Sequence, residues 1–267
     1  MIHTIKALST STKTLLAALG LLSISSVSYA TTVQIQTVLG DFEVNLYDKK
    51  TPETVKNFLS YVNSGAYTDT VIHRSNSKFI IQGGGFKYTG TPSVRPPLAA
   101  ISSRAPVINE PVLSNVRGTI AMAKIGSNPN SATNQWFINL TDNSANLDSQ
   151  NSGFTVFGQV TGNGMAIVEA IAALKNYSPT NSADLGNFPE LPLRGYNSGT
   201  ISIDEKHLVV VTGVVVLNPS PDTADGLNPP LSKNKNDGKK SSGGSTGILL
   251  IASLLLLVTA RRFRFTR

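Results

Sequence analysis

Between residues 33 and 217 the apolar residues fall in short runs divided by glycine, asparagine, aspartate and proline, a rhythm that suits a sheet of many short strands. Val33, Ile35 and Thr37, then Phe42, Val44 and Leu46, alternate on either side of Gly40-Asp41, which is a two-residue hairpin signal. Further strands are predicted over residues 70–74, 79–82, 119–123, 135–140, 154–160 and 208–217. Thr51 is expected to cap a helix with Pro52 in its first turn, where Val55, Phe58, Leu59 and Val62 recur at helical spacing before Gly65. Ile167, Ala170, Ile171 and Leu174 suggest a second helix. Many short strands with two covering helices point to a closed or nearly closed antiparallel barrel, because closure removes unpaired edges, although periodicity alone fits a sandwich equally well. Residues 89–106 and 176–206 lack periodicity and read as long loops, either recognition surfaces or tolerated surface insertions.

The two ends carry different information. Lys6 and Lys13 lead into an apolar run over residues 15–22, and Ser28-Tyr29-Ala30 supplies a small-residue junction, so residues 1–30 are expected to be an export signal. Residues 218–246, rich in Pro, Ser, Asn, Asp, Lys and Gly, are expected to form a disordered spacer. Residues 247–260 are almost wholly apolar and run into Arg261, Arg262, Arg264 and Arg267, a membrane stop pattern. As a helix this run reaches only about 21 Å against a hydrocarbon core of roughly 30 Å, so it spans a bilayer only with help from its flanks or from local thinning. Arginines held on the cytoplasmic side place the domain of residues 31–217 on the exported, periplasmic or cell-surface side, anchored to the inner membrane or released by processing. Gly243-Gly244, the apolar run and the basic tail together resemble bacterial GlyGly-type C-terminal sorting signals, which an intramembrane protease can remove.

A net charge of +7 raises the question of a phosphate-bearing partner. The excess, however, sits in the terminal segments: residues 31–217 hold thirteen basic and thirteen acidic side chains, so nucleic-acid binding is not expected. With no cysteine in the chain, disulfides and thiol catalysis are excluded, and one self-sufficient domain, expected as a monomer, must rest on its own core.

The stretch Val71-Ile72-His73-Arg74, followed by Phe79 and then by Gln82-Gly83-Gly84-Gly85-Phe86, resembles the cyclophilin signature FHR-x-x-x-x-F-x-x-QGG-x-F. Three more blocks follow in the family's order: Arg117-Gly118-Thr119-Ile120-Ala121-Met122-Ala123, then Asn134-Gln135-Trp136-Phe137-Ile138-Asn139, then Leu147-Asp148 with Phe154 to Gly158. The resemblance covers about residues 33–217. It implies a mostly β fold, a closed eight-stranded antiparallel barrel capped by two helices, and peptidyl-prolyl cis-trans isomerisation with neither cofactor nor metal. Arg74 matches the family's catalytic arginine; Phe79, Ile80, Phe137 and Leu147 match its proline pocket; Gln82 and Ala123 match its peptide contacts. The implied partners are proline-containing exported proteins, unfolded or in the course of folding.

These residue types suit that reaction. An amide resists rotation because the nitrogen lone pair is delocalised into the carbonyl, with a barrier of about 18–20 kcal/mol. A guanidinium that donates to the prolyl nitrogen as the bond twists stabilises the localised lone pair more than the planar ground state. Arginine stays protonated and presents several donors, so no proton transfer is needed. Aromatic and aliphatic walls from Phe79, Phe137, Ile80 and Leu147 suit a pyrrolidine ring; ordinary core packing is the rival reading of each, and only their motif positions favour the pocket. If Phe137 walls a socket, it is expected to face solvent in part and to contribute less stability than a core aromatic. Gln82 is suited to hold Arg74 and also to touch the peptide backbone, and reads equally well as a strand-end surface residue. His73 and His207 are the only histidines after residue 30, and His73 is expected to be a packed structural residue, not a base. No cluster of His, Asp or Glu has metal-ligand spacing. Trp136, beside Phe137, is expected on the opposite face of its strand and in the core.

Four positions depart from the family pattern. Asn146 stands where an aromatic often precedes Leu-Asp, Phe154 where histidine is common, and Ser77-Lys78 where Pro-Gly is common. Weak binding of cyclosporin-like macrocycles is therefore expected. The same fold also permits a non-catalytic proline-peptide-binding chaperone module, and an anchored adhesin-like β-domain accounts for the termini but not for Arg74, Gln82 and the socket residues.

Overall fold

The structure, a computed structural model, describes residues 31–93, 95–177, 188–197, 202–220, 224 and 227–233. The export signal expected over 1–30, the apolar segment and basic tail of 247–267, and most of the expected spacer lie outside the described residues. Among the described residues no helix is long and apolar enough to cross a membrane.

β1 (Thr32–Thr37) and β2 (Phe42–Leu46) form the expected hairpin, with Ile35 opposite Phe42. Its turn needs glycine at residue 40: φ is +124°, and a Cβ there would stand 2.8 Å from Ile167 Cδ1. α1 (Pro52–Asn63) follows, but Thr51 makes no side-chain cap, since its hydroxyl donates back to the Tyr47 carbonyl (3.5 Å). The orphan amides are met from a distance instead. Glu110 accepts from Thr54 N (2.9 Å) and Oγ1 (2.7 Å) and from Glu53 N (3.3 Å), which also sets a carboxylate at the positive end of the helix.

The remaining strands are β3 (Thr70–Val71), β4 (Arg74–Asn76), β5 (Ile80–Gly83), β6 (Phe86–Tyr88), β7 (Leu98–Ala100), β8 (Thr119–Met122), β9 (Trp136–Asn139), β10 (Val156–Val160), β11 (Lys175–Asn176), β12 (Pro192–Leu193) and β13 (Val210–Asn218). α2 is the single turn Ser144–Leu147, and α3 (Gly164–Ala172) is the second expected helix. β11 and β12 pair with each other; all other strands form one 11-stranded sheet in the order β4-β5-β9-β8-β10-β2-β1-β13-β3-β6-β7.

The fold is mostly β, as expected, but the closed eight-stranded barrel is not what this ladder shows. The strand predicted over residues 70–74 breaks at Ile72-His73 into β3 and β4, and β6 and β7 arise within and beside the stretch read as loop. The break has a visible cause. Ile72 N donates to Val209 O (2.9 Å) while His73 N donates to Gln82 O (3.0 Å), so successive amides serve different arms of the sheet. β3 pairs with β13 and β4 with β5, and only two residues separate them. The sheet must therefore curl until its two arms approach one another.

The inside of the curl is the core. Ile72, Ile81, Ile120, Trp136, Ile138 and Phe157 are fully buried there, joined by Val55, Phe58, Tyr61 and Val62 from α1 and by Val168 and Ile171 from α3. Phe58 lies 5.1 Å from the Phe157 ring and 5.3 Å from Tyr67. Each such side chain contributes about 1.5–3 kcal/mol by leaving water. Outside the curl, Tyr177, Leu191, Leu193 and Tyr196 make a smaller cluster with Val71 and Val210, and so tie down the segments 175–177 and 188–196, which together make a strap. The described part of the expected spacer also touches the domain: Ser114 N donates to Pro230 O (2.8 Å), Ser232 N to Val112 O (3.1 Å), and Leu231 bridges Leu113.

Candidate active site

Strand register assembles the site. Arg74 lies opposite Gln82, Gln82 opposite Phe137, and Phe137 opposite Ala121, across the adjacent strands β4, β5, β9 and β8. Directly opposed residues share a face, so Arg74, Gln82 and Phe137 project together, with Ile80 two residues from Gln82 on that same face. Trp136 takes the other face and is fully buried in the core, as its alternation with Phe137 predicts. Ile80, Ala123, Phe137 and Leu147 belong to one apolar cluster with Ala121 and Val156, against which Phe79 and Phe154 pack. Phe154 meets Phe137 edge to face, with centroids 5.8 Å apart, so the aromatic that replaces the common histidine becomes part of the wall.

The glycines after Gln82 are dictated by what lies beneath them. At Gly84 φ is +79°, and a Cβ would meet the Asn134 carbonyl and Trp136 Nε1, both at 2.7 Å; at Gly85 it would strike Gln135 Cδ at 2.8 Å. Gln135 thereby reaches Gln82, accepting from its Nε2 at 2.8 Å.

A chain of buried amides holds the three loops that carry the walls. Asn143 Nδ2 donates to Phe79 O (3.0 Å) and to Asn139 Oδ1 (2.8 Å), and Asn139 Nδ2 donates to Asn115 Oδ1 (3.3 Å). Asn115 Nδ2 donates to Phe154 O (3.1 Å) and to Asp148 Oδ1 (3.0 Å), and Asp148 also accepts from Asn115 N (2.8 Å) and Ser114 Oγ (2.5 Å). Asp148 follows Leu147 directly, so the Leu-Asp pair places one wall and anchors it in consecutive residues. The Ser77-Lys78 turn is also supported without Pro-Gly: Asn76 accepts from Phe79 N through its carbonyl (2.8 Å) and from Lys78 N through Oδ1 (3.2 Å).

Arg74 is partly exposed, and its Nε donates to Glu190 Oε2 at 2.5 Å. Gln82 is thus not the residue that holds Arg74, contrary to expectation, because its own amide is engaged with Gln135. Beside Arg74, Gln82 and Ala123 opens a cleft of about 470 Å³, also lined by Arg104, Gln135 and Glu190. Phe79, Ile80, Phe137 and Leu147 do not line this cleft; they belong to a neighbouring apolar cluster in which Ile80, Phe137 and Leu147 are buried, and against which Ala224 and Leu227 also pack. The expected partial exposure of Phe137 is corrected: it is 3% exposed, because Phe154 and Leu147 close over it.

Two neighbouring cations and a histidine complete the electrostatics. Lys124 is buried; its Nζ donates to Asn151 O (2.8 Å) and Gly153 O (2.5 Å) and lies 4.8 Å from the Phe154 ring. Burial lowers its pKa to about 8, so it stays charged at neutral pH and pins the loop that carries Phe154. Arg104 lies over Tyr61 at 5.2 Å on the far rim of the cleft. His73 is buried edge-on to Phe86 (4.8 Å), and burial lowers its pKa to about 4, which keeps it neutral and packed. Its buried Nδ1 lacks a hydrogen-bond partner among the described residues. The sequence reading missed Glu190, Gln135 and Lys124. Gln135 and Lys124 adjoin recognised residues, whereas nothing local marks Glu190, whose role depends on a contact made 116 residues away.

Residues 32–187 match the family model described as cyclophilin type peptidyl-prolyl cis-trans isomerase/CLD. Over 181 residues the chain is 40% identical to a peptidyl-prolyl cis-trans isomerase of Acinetobacter baylyi, covering 66% of this chain and 89% of that one. It is also 40% identical over 145 residues to peptidyl-prolyl cis-trans isomerase B of Escherichia coli, covering 52% and 82%. Among solved structures, a cyclophilin-type isomerase from Cryptosporidium parvum, crystallised in the presence of the dipeptide Ala-Pro, matches with a TM-score of 0.47 at 22% identity over 70% of this chain and 99% of that chain.

Proposed function

The chain belongs to the cyclophilin-type peptidyl-prolyl cis-trans isomerase family, and we propose that it accelerates rotation about X-Pro bonds of exported proteins, with Arg74 as the donor to the twisting amide. One observation carries this reading. Strand register sets a guanidinium, fixed at its Nε, on the same face as Phe137 with Gln82 between them. In this reading a prolyl ring packs against the cluster of Phe79, Ile80, Phe137 and Leu147, on the face of the sheet that also carries the arginine. As the bond turns out of plane, the nitrogen regains its lone pair, and a donor already in place stabilises that state without reorganising. No proton changes hands, which agrees with a neutral, buried His73. Gln82 and Ala123 face the cleft beside this point and suit the peptide backbone on either side of the proline.

The exported setting rests on the sequence alone. The leader of residues 1–30 and the apolar run with its arginines agree on one topology, with the domain on the exported side and the basic tail on the cytoplasmic side.

The test is isomerisation of a proline peptide measured by exchange NMR for the wild type, Arg74→Ala and Arg74→Lys, with circular dichroism to confirm folding. Loss of one preorganised donor lowers the rate roughly 100- to 1,000-fold, and lysine, lacking the planar fork, restores little of it. Undiminished activity in a folded Arg74→Ala protein overturns the arginine mechanism. An inactive wild type that still binds peptide points instead to a non-catalytic binding module.

A further inference from the structure

We propose that Glu190 is a positioning residue for this reaction: its carboxylate, delivered by a strap of the paired segments 175–177 and 188–193, holds the Arg74 guanidinium in the orientation that meets the prolyl amide. The inference rests on the isomerase reading above.

β4 is the weak point of the site. It is three residues long, stands at one end of the sheet order and has a strand partner, β5, on one side only. A strand of that kind frays unless its open edge is covered. The strap covers it residue by residue. Ser75 N donates to Glu190 O (2.6 Å), and Ser75 O accepts from Asn176 Nδ2 (2.8 Å), so both main-chain groups on the open edge are satisfied. On either side of Ser75, the two oxygens of the Glu190 carboxylate take Arg74 Nε (2.5 Å) and Asn76 Nδ2 (2.9 Å).

Glu190 is itself well fixed. Its carbonyl and both carboxylate oxygens are bonded, and the strap around it is closed by β11 and β12, by Tyr177 N donating to Leu191 O (2.7 Å), and by Phe188 edge-on to Phe86 at 4.9 Å. Arginine is rich in rotamers, and a carboxylate that engages Nε removes much of that freedom before substrate arrives. The bond is made at Nε, not at the fork, so both terminal amino groups remain as donors. Among the described residues, no other side-chain partner of Arg74 is present. Pairing partly offsets the positive charge, yet the prolyl lone pair is neutral and needs a directed donor more than a net charge, so orientation outweighs attenuation.

The experiment measures kcat and KM by exchange NMR across a range of peptide concentrations for the full chain, Glu190→Gln and Glu190→Asp, and follows the Arg74 Nε–Hε resonance in each. Glu190→Gln keeps the shape and the strap but loses the charge-assisted bond. The expected result is a roughly 3- to 10-fold drop in kcat with KM changed less than about twofold, an upfield shift of the Arg74 Hε signal, and no further loss when Glu190→Gln is added to Arg74→Ala. Glu190→Asp, which retains charge at shorter reach, is expected between the two, and it carries the test if glutamine unsettles the strap. An active wild type with unchanged kcat and Arg74 signal in Glu190→Gln overturns the role of Glu190 alone, as does a rise in kcat. A wild type without isomerase activity overturns the isomerase reading on which the role depends.

Discussion

Replacing Phe137 with alanine tests whether the apolar surface beside Arg74 is a binding socket or simply core. Phe137 is 3% exposed, lies at the centre of the cluster of Ile80, Ala121, Leu147 and Val156, and meets Phe154 edge to face at 5.8 Å. A core phenylalanine truncated to alanine costs about 3–5 kcal/mol, of which the lost aromatic pair supplies roughly 0.5–1.5 kcal/mol. For a domain of this size each kcal/mol shifts the midpoint by about 2–4 °C, so Tm is expected to fall by roughly 6–20 °C. Burial of this kind means that stability alone no longer separates socket from core, and the decisive quantity is peptide affinity measured well below the new Tm. Loss of one wall is expected to weaken a proline peptide about tenfold, or some 1.4 kcal/mol. Ile138→Val, on the opposite face of β9, serves as the control that lowers stability without touching affinity. Unfolding by denaturant beside NMR titration gives both numbers. A large stability loss with affinity within twofold of wild type would refute the socket assignment, and a loss below about 1 kcal/mol would refute the packing itself.

Two further outcomes follow from His73 and from the chain ends. His73 has a folded pKa of about 4 against an ordinary 6.5 because it is buried, so in this window the unfolded chain binds the extra proton; the stability present above pH 6.5 is lost as pH falls towards 4, by about 3 kcal/mol in total. Urea midpoints at pH 7 and 4.5 are expected to differ less in His73→Phe than in wild type, and an identical difference in both would exclude His73 as the cause. The full chain is expected to fractionate with membranes and a chain shortened after Lys233 to be soluble, a boundary chosen because Pro230 and Ser232 bond to the domain. A full-length chain found wholly soluble with its C-terminus intact would count against anchoring.

What could be read from the sequence was whatever has a local cause. The β1–β2 hairpin, α1, α3 and the opposite facing of Trp136 and Phe137 follow from periodicity and turn chemistry within a few residues. The corrections all come from contacts between distant segments. Thr51 looked like a cap, but Glu110 performs that task; residues 70–74 looked like one strand, but amides that face Val209 and Gln82 divide it. Gln82 looked like the partner of Arg74, yet a strap without periodicity supplies Glu190, and only the folded curl brings the two together. Periodicity reports which face a residue takes and is silent on what another segment will lay against it.

The pairing of β1 with β13 puts Thr32 directly opposite Asn218, so the first strand of the sheet begins where the last one ends. Along the sheet, β8, β10 and β2 intervene between β1 and β9, which carries Phe137. At the usual strand spacing that is roughly 19 Å of arc on a curled surface. The chain covers that distance after β13: Ala224 and Leu227 pack against the cluster around Phe137, and Ser114 N donates to Pro230 O, so a tether on the C-terminal side leaves beside that cluster and not beside Thr32. The same layout has a mechanical side: a pull that separates Thr32 from Asn218 opens the β1–β13 ladder one rung at a time, like a zipper, but a load on the chain beyond Ser232 is met first by the bonds of Pro230 and Ser232 to the domain.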